Sequence, residues 1–265
     1  MQFSTINGIV LHYSDTGPRP GAPALVFSNS LGTDFRTWDR LTNLLAERFR
    51  IVRYDKRGHG LSQATPAPYR IDDHVADLAG LLDHLQLDGI VLCGLSVGGL
   101  IAQGLAARQP ERLQALILCD TAAKIGTVER WASRIAQVEA DGIEAAADSI
   151  MELWFSAAFR SSRKEETADW RNMLVRTPAA GYLGTCAAIR DADLSAEAAR
   201  IDAPTLCIAG SEDGATPPDL VRATADLIPG AGFEVIEGAG HLPCIEQPEV
   251  MAGLITSFLE EHGLV

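Results

Sequence analysis

The stretch that decides the fold is residues 90–100, IVLCGLSVGGL, where an apolar run ends at a glycine and one serine stands among three glycines. Glycine-rich loops after a strand either bind a phosphate at a helix N-terminus or hold a nucleophile on a strained turn. A phosphate loop would need G-x-G-x-x-G near the first strand, or Gly-Lys-Ser/Thr. Here serine replaces the second glycine, the loop lies in mid-chain, and it contains no lysine. The pattern is therefore G-x-S-x-G, which predicts that Ser96 is a nucleophile.

The glycines around Ser96 have a steric explanation. A serine held at unfavourable dihedrals between a strand and a helix needs neighbours without side chains two residues away, and these are Gly94 and Gly98. Such a turn exposes the serine Oγ and directs the next backbone N–H, that of Val97, at the reaction centre. The helix predicted to begin at Val97 adds a dipole that favours developing negative charge.

A serine nucleophile needs a base, and the base needs an acid that orients it. In a strand–turn–helix architecture of this kind the three follow in the order serine, acid, histidine. His241 follows the strand-like FEVIEGAG and precedes a helix, so we predict that it is the base, whereas His59 precedes Ser96 and is interpreted as a structural loop residue. Asp213, at the end of PTLCIAGSED, is the favoured acid, and Asp120, at the end of RLQALILCD, stays open as the alternative.

Acyl transfer also requires a second N–H donor for the oxyanion, from the loop after an early strand. The segment SNSLG follows the apolar run ALVF and occupies that place. We predict that Leu31 supplies the backbone donor opposite Val97 and that Gly32 relieves crowding in the loop.

Strand and helix patterns alternate along both ends of the chain, which predicts an α/β fold with a mostly parallel sheet flanked by helices. Asn7-Gly8 between two alternating segments predicts a β-hairpin. From residue 121 to about 201 helical patterns dominate. We therefore predict a core of residues 1–122 and 202–265 and a helical lid, residues 123–201, inserted after the sixth strand. That lid would cover the carboxyl edge of the sheet, where open α/β sheets keep their sites.

Composition excludes several classes of function. The 265 residues carry a net charge of −13, which argues against nucleic acid or an anionic membrane as a partner. No apolar run approaches the roughly 20 residues that span a bilayer, and the N-terminal segment lacks signal-peptide features. The five cysteines are scattered without a CxxC pair, which favours neither disulfides nor a metal site and indicates a reducing cytoplasm.

Together the motifs YDKRGHGLS, GLSVGG, GSED and GAGH are similar to those of α/β-hydrolases of the lid-bearing esterase and lactonase type, over essentially the whole chain. The early loop, NSLGTD at residues 29–34, resembles that of 3-oxoadipate (β-ketoadipate) enol-lactonases. Three lid segments are also similar to those of this group: CDTAAKIGTVERW, ELWF and GYLGTCAAIRDADL. The resemblance implies hydrolysis of the enol-lactone of 3-oxoadipate through an acyl-enzyme, in bacterial catabolism of aromatic compounds and without a cofactor.

The implied substrate carries a carboxylate, and in so acidic a protein a local cation must bind it. Arginine suits a carboxylate because its guanidinium is a planar fork. Arg134 is the favoured residue, with Arg130 and Arg190 as alternatives. The aromatic side chains that would shape an apolar pocket, or else pack the protein interior, are Trp131, Trp154 and Trp38.

Three alternatives to an enol-lactonase remain open at this stage. The chain would also suit another small-molecule carboxylesterase or a cofactor-free perhydrolase. This fold has also been reused for small-ligand receptors that keep the triad, so a non-catalytic receptor is the third alternative.

Overall fold

Eight strands form one mixed sheet at the centre of this computed structural model, which describes residues 2–265. Their order across the sheet is β1-β2-β4-β3-β5-β6-β7-β8. The pairs β1–β2 and β2–β4 are antiparallel and all the others are parallel, as predicted. The strands are β1 (Gln2–Ile6), β2 (Ile9–Asp15), β3 (Ala24–Ser28), β4 (Arg50–Tyr54), β5 (Ile90–Leu95), β6 (Leu113–Cys119), β7 (Thr205–Gly210) and β8 (Gly232–Ile236).

The predicted hairpin is confirmed between β1 and β2. Asn7 and Gly8 have φ values of 49° and 78°, the two positive values that a type I′ turn requires. At the centre of the sheet every residue of β3, β5 and β7 is buried, because helices cover both faces. These three strands therefore appear in the sequence as continuous apolar runs rather than as alternating patterns.

Eleven α-helices occur in the described residues, and five of them, α4 to α8, lie in succession between β6 and β7. This agrees with the predicted helical insertion after the sixth strand. Among the described helices none is long and apolar enough to cross a membrane. The helices are α1 (Asp39–Leu45), α2 (Ile71–His84), α3 (Val97–Arg108), α4 (Val128–Trp154), α5 (Ala157–Ser162), α6 (Lys164–Val175), α7 (Ala179–Asp191), α8 (Ser195–Ala198), α9 (Pro218–Ala225), α10 (Pro243–Glu246) and α11 (Pro248–Glu261).

The lid packs on the core through a contact between two glycines. A Cβ added to Gly181 in α7 would lie 1.9 Å from the carbonyl oxygen of Gly58, in the loop after β4. Nearby, the N–H of Tyr69 donates to the carbonyl of Gly184 at 3.2 Å. Backbone therefore meets backbone at this contact, which holds α7 close to the sheet.

We expect Gly181→Ala to lower the free energy of unfolding by about 1–3 kcal/mol, because the added methyl group overpacks the contact with Gly58. The matched control is Gly253→Ala in α11, where an added Cβ meets nothing within 4 Å. Alanine is the better helix former there, by up to about 1 kcal/mol. Urea unfolding of the two variants checks this, and equal stabilities would contradict the close contact.

Candidate active site

Ser96 sits on the turn between β5 and α3 with φ 59° and ψ −119°, a conformation that is strained for a residue with a side chain. The turn leaves no room for Cβ atoms nearby. A Cβ on Gly98 would lie 2.0 Å from the carbonyl oxygen of Ser28, and one on Gly94 would lie 2.4 Å from the carbonyl of Gly98. The steric explanation drawn from the sequence therefore matches the packing of this turn.

His241 and Asp213 form a buried pair. The imidazole Nδ1 lies 2.8 Å from Asp213 Oδ2, and the two residues are 2% and 4% exposed. The same carboxylate accepts hydrogen bonds from the N–H of Ala215 at 2.7 Å and from the Thr216 hydroxyl at 2.6 Å. Because a carboxylate only accepts, Nδ1 carries the proton, and Nε2 is left as the basic nitrogen.

Burial opposes ionisation of Asp213, but the charge of His241 and hydrogen bonds from His241 and Thr216 outweigh it and hold the pKa of this carboxyl below its usual value. Asp213 is therefore a carboxylate at neutral pH. It both orients the imidazole and stabilises its protonated form.

Asp120, the alternative acid, makes no hydrogen bond to His241 among the described residues. Its Oδ1 accepts from the N–H of Gly210 at 2.7 Å, and its Oδ2 is buried without a partner in residues 2–265. Burial, and then the charge of Asp213, raise the pKa of Asp120 well above its usual value. The structure therefore puts Asp213 rather than Asp120 on the imidazole, and the carboxyl of Asp120 beside it keeps its proton to a higher pH than an ordinary aspartate.

The side-chain oxygens and nitrogen of Asp120, Asp213 and His241 lie within 4.8 Å of one another. Two carboxylates and an imidazole are donor types that a divalent cation accepts. Here, however, both oxygens of Asp213 are already hydrogen-bonded, and Asp120 Oδ1 accepts from the N–H of Gly210. The group is organised to orient a histidine rather than to neutralise a metal ion.

The loop after β3 provides the N–H of Leu31, the predicted partner of the Val97 N–H. Within residues 2–265 neither of these two groups donates a hydrogen bond to a protein acceptor. Gly32 has φ 75°, and a Cβ there would lie 2.5 Å from Leu174 Cδ1 of the lid. Glycine at this position therefore lets α6 seat directly on the loop.

A cavity of about 270 Å³ lies between the lid and the carboxyl end of the sheet. Its floor contains Leu31, Ser96 and His241. A larger groove, of about 1090 Å³, runs along the outer face beside Arg36 and Trp170 and includes none of these three residues. The smaller cavity is the candidate active site because it alone of the two reaches the serine and the histidine.

Two arginines of α4, Arg130 and Arg134, line the lid side of this cavity, and within the described residues neither forms a salt bridge. Arg190 does not line it. Its guanidinium instead pairs with Asp191 at 2.8 and 2.9 Å on the exposed surface. The structure thus removes Arg190 from the alternatives and leaves Arg134 and Arg130.

Two of the three tryptophans singled out in the sequence line the cavity and the third does not. Trp131 and Trp154 line the cavity, and the Trp131 Nε1–H donates to the carbonyl of Ile125 at 2.7 Å. Trp38 is fully buried with its ring 4.8 Å from that of Phe27, and it does not line the cavity. The expectation that Trp38 contacts a substrate is corrected: its indole packs in the core behind the early loop.

Two features at the site were missed in the sequence. Tyr182 of α7 lines the cavity, although its segment stood out only as part of the lid. Lys56, in KRGHG after β4, is 1% exposed and donates to the carbonyl of Ser30, in the loop after β3, at 2.5 Å. The only signal for it was a lysine in a strand-end loop of a chain with few lysines. His59, from the same loop, is buried beside it and does not reach the cavity.

Residues 23–248 match the family described as the alpha/beta hydrolase fold, and the chain belongs to that family. The chain is 36% identical to 3-oxoadipate enol-lactonase 2 of Acinetobacter baylyi, over 98% of this chain and 96% of that protein. The structure is also similar to the crystal structure of the enol-lactonase from Burkholderia xenovorans LB400, with a TM-score of 0.94 and 39% sequence identity. The match covers 98% of this chain and 100% of that one. A malate-bound thermophilic esterase from Thermogutta terrifontis has a TM-score of 0.90, 31% identity and 99% coverage of both chains. The protein is thus an enzyme of the hydrolase class.

We expect Asp120→Asn to gain stability relative to the wild type as the pH rises from 5 to 8. The raised pKa means that folded Asp120 holds its proton more tightly than the unfolded chain, which releases it above about pH 4, so the contribution of Asp120 to wild-type stability falls as the pH rises towards the folded pKa. The slope is at most about 1.4 kcal/mol per pH unit. The asparagine has no proton to release and still offers an oxygen to the Gly210 N–H.

Urea unfolding at several pH values measures this difference. Asp141→Asn, at an exposed residue of α4, is the matched control and should follow the wild type. Parallel curves for Asp120→Asn and the wild type would contradict a protonated Asp120.

Proposed function

We propose that the protein is a serine hydrolase that opens the enol-lactone of 3-oxoadipate. The observation that carries the proposal is the cavity itself, which joins Ser96 and the Asp213–His241 pair to two arginines without acidic partners. The likeness to two enol-lactonases, at 36% and 39% identity, supports the same substrate class. An apolar wall, an anion-binding side and a nucleophile are what a small anionic lactone requires.

In the proposed first half-reaction, His241 Nε2 takes the proton of Ser96 and Oγ attacks the lactone carbonyl. The tetrahedral oxyanion accepts hydrogen bonds from the N–H groups of Leu31 and Val97, which have no protein acceptor of their own within residues 2–265. Loss of one such donor costs about 3 kcal/mol of barrier. Asp213 stabilises the imidazolium that forms.

Collapse of the tetrahedral intermediate breaks the ring C–O bond, and the enol oxygen leaves with the proton from His241. An enolate is a better leaving group than an alkoxide, and the released enol tautomerises to the ketone. Water then gives a proton to His241 and attacks the acyl-Ser96 ester, which frees 3-oxoadipate and restores the serine. Every proton transfer in this scheme uses groups of the chain, the substrate and water, so no cofactor enters.

The substrate carboxylate is proposed to bind Arg134, with Arg130 beside it. Both line the cavity from α4 and keep free guanidinium donors, in a protein of net charge −13. A related esterase, 31% identical, has been crystallised with malate, itself a carboxylate. We further propose that the enzyme acts in the cytoplasm, in bacterial breakdown of aromatic compounds, where enol-lactones of this type arise.

We expect Ser96→Ala to lower kcat on the enol-lactone by on the order of 10⁴-fold or more, because the hydroxyl that would form the acyl-enzyme is removed. The measurement is loss of enol-lactone absorbance with purified protein, beside a neutral activated aryl ester as a second substrate. Turnover of neutral esters faster than the enol-lactone would defeat the substrate proposal while keeping the hydrolase. Hydrolysis that persists in the Ser96 variant would defeat the mechanism.

We expect Arg134→Ala to raise KM for the anionic lactone by roughly tenfold or more and to leave KM for the neutral ester nearly unchanged. The lost contact is a charge-assisted hydrogen bond, worth about 1.5–3 kcal/mol. Arg190→Ala is the matched control, because Arg190 pairs with Asp191 outside the cavity. Equal effects of Arg134→Ala on both substrates would refute the carboxylate role.

A further inference from the structure

Lys56 is a buried cation that the reaction scheme above does not use. It is 1% exposed, and its one hydrogen bond in residues 2–265 runs from Nζ to the carbonyl oxygen of Ser30, at 2.5 Å. It forms no salt bridge with any described residue. Taking an ammonium out of water without an ion pair is costly, and an apolar side chain of the same length would fill this space at a lower cost. The lysine therefore calls for an explanation other than packing.

The acceptor of Lys56 belongs to the peptide unit that joins Ser30 to Leu31. The other end of that unit is the Leu31 N–H, one of the two proposed oxyanion donors. A positive charge on the oxygen end draws electrons along the peptide and makes the N–H end a stronger donor, because hydrogen bonds in a chain polarise one another. The effect is strong where water is excluded, as it is here.

Neutral hydrogen bonds within the loop also hold residues 29–33. The carbonyl of Ser30 also accepts from the Thr33 hydroxyl at 2.9 Å, and Asn29 Nδ2 donates to the carbonyl of Thr33 at 2.5 Å. Those neutral contacts also stabilise the turn that the loop forms. Lys56 differs from these contacts in that it brings a charge to the Ser30–Leu31 peptide.

We propose that Lys56 is a positioning residue of the oxyanion hole, which fixes and polarises the Ser30–Leu31 peptide so that the Leu31 N–H binds the tetrahedral oxyanion more strongly. The inference rests on the proposed serine hydrolysis but not on the choice of substrate. A residue of this kind acts on the transition state and not on substrate binding, so its removal should lower kcat and leave KM unchanged.

The surroundings of Lys56 make its charge sensitive to pH. Burial lowers the pKa of the amine to about 7, although the charges of Asp55 and Asp34 act in the opposite direction. Burial also lowers the pKa values of His59 and His74 well below their usual range, so both imidazoles are neutral beside it. The lysine charge is thus present below about pH 7 and fades above it, and the polarisation should fade with it.

The test compares Lys56→Met, which removes both donor and charge, with Lys56→Gln, which keeps a neutral donor. Lys124→Met, at an exposed lysine that pairs with Asp193, is the matched control. Each variant is assayed on a neutral activated aryl ester, together with binding of an arylboronic acid whose tetrahedral serine adduct presents an oxyanion. Charge-assisted hydrogen bonds are roughly twice as strong as neutral ones, so we expect about a tenfold loss of kcat in both Lys56 variants.

Three results together would support the proposal. The roughly tenfold loss of kcat should be accompanied by a parallel loss of boronate affinity, while KM stays unchanged. In addition, kcat of the wild type should decline above about pH 7, and this decline should be missing from both Lys56 variants. Unchanged kcat and boronate affinity in a folded Lys56→Met protein would overturn it. So would full activity in Lys56→Gln, because position alone would then suffice. A wild type that hydrolyses the aryl ester but not the enol-lactone defeats the substrate proposal and leaves this test intact.

A second measurement needs no Lys56 variant to fold. In the His241→Gln protein, which lacks the active-site imidazole, the ¹⁵N-leucine-labelled Leu31 amide should shift with a midpoint near pH 7 as Lys56 titrates. This readout does not depend on hydrolysis, so it also separates failure of the proposed function from failure of the inference. A Leu31 amide signal that stays constant from pH 6 to 8 would overturn the proposal.

Discussion

The strained turn at Ser96 is the constraint on which the rest of the site depends. A serine with φ 59° costs on the order of 1–3 kcal/mol, and it persists only where its surroundings define it fully. Those surroundings are backbone: the carbonyl of Ser28 on β3 comes so close to Gly98 that any side chain there would collide. Because the turn is fixed by two neighbouring strands and the first turn of α3, the nucleophile, its own N–H and the early loop occupy a single geometry.

Charge is distributed on two sides of that turn. On one side the surroundings of His241 lower the pKa of Asp213 and raise the pKa of Asp120, a few ångströms away, so Asp213 is the more readily ionised of the two carboxyls. On the other side the ammonium of Lys56 lies behind the peptide of Leu31. The transition state of the proposed mechanism, with a positive imidazole and a negative oxyanion, would therefore lie between a carboxylate and a buried amine that is charged below about pH 7.

The lid provides the positively charged side chains of the cavity, which the strand ends do not supply. The strand ends supply the proposed nucleophile, base and acid, and α4 adds two guanidinium groups that form no salt bridge within residues 2–265 of a strongly acidic chain. Two glycines let the lid approach the core loops closely: Gly181 of α7 meets the backbone of Gly58, and Gly32 meets the side chain of Leu174 from α6. The 270 Å³ that remain suit a small molecule, consistent with a compact lactone.

The sequence by itself determined the features that depend on local sterics and periodicity. Apolar runs alternating with helical patterns defined the parallel sheet, the helical block marked the insertion, and glycines two residues from Ser96 defined the turn. Chain order also selected His241 over His59. The strands, the insertion and the turn follow from contacts within a few residues, where the amino-acid types alone limit the backbone, whereas the choice of His241 follows from chain order.

Only the tertiary structure decided between residues whose roles depend on distant partners. Asp213 and Asp120 both end strands, and only the packing of β6 against β7 shows that Gly210 holds Asp120 away from the imidazole. Arg134 and Arg190 are equally charged in sequence, but one faces the cavity and the other an aspartate on the surface. The ammonium of Lys56 meets the carbonyl of Ser30 across 26 residues of chain. Such distinctions rest on the direction of a side chain and on long-range contacts, which local sequence does not specify.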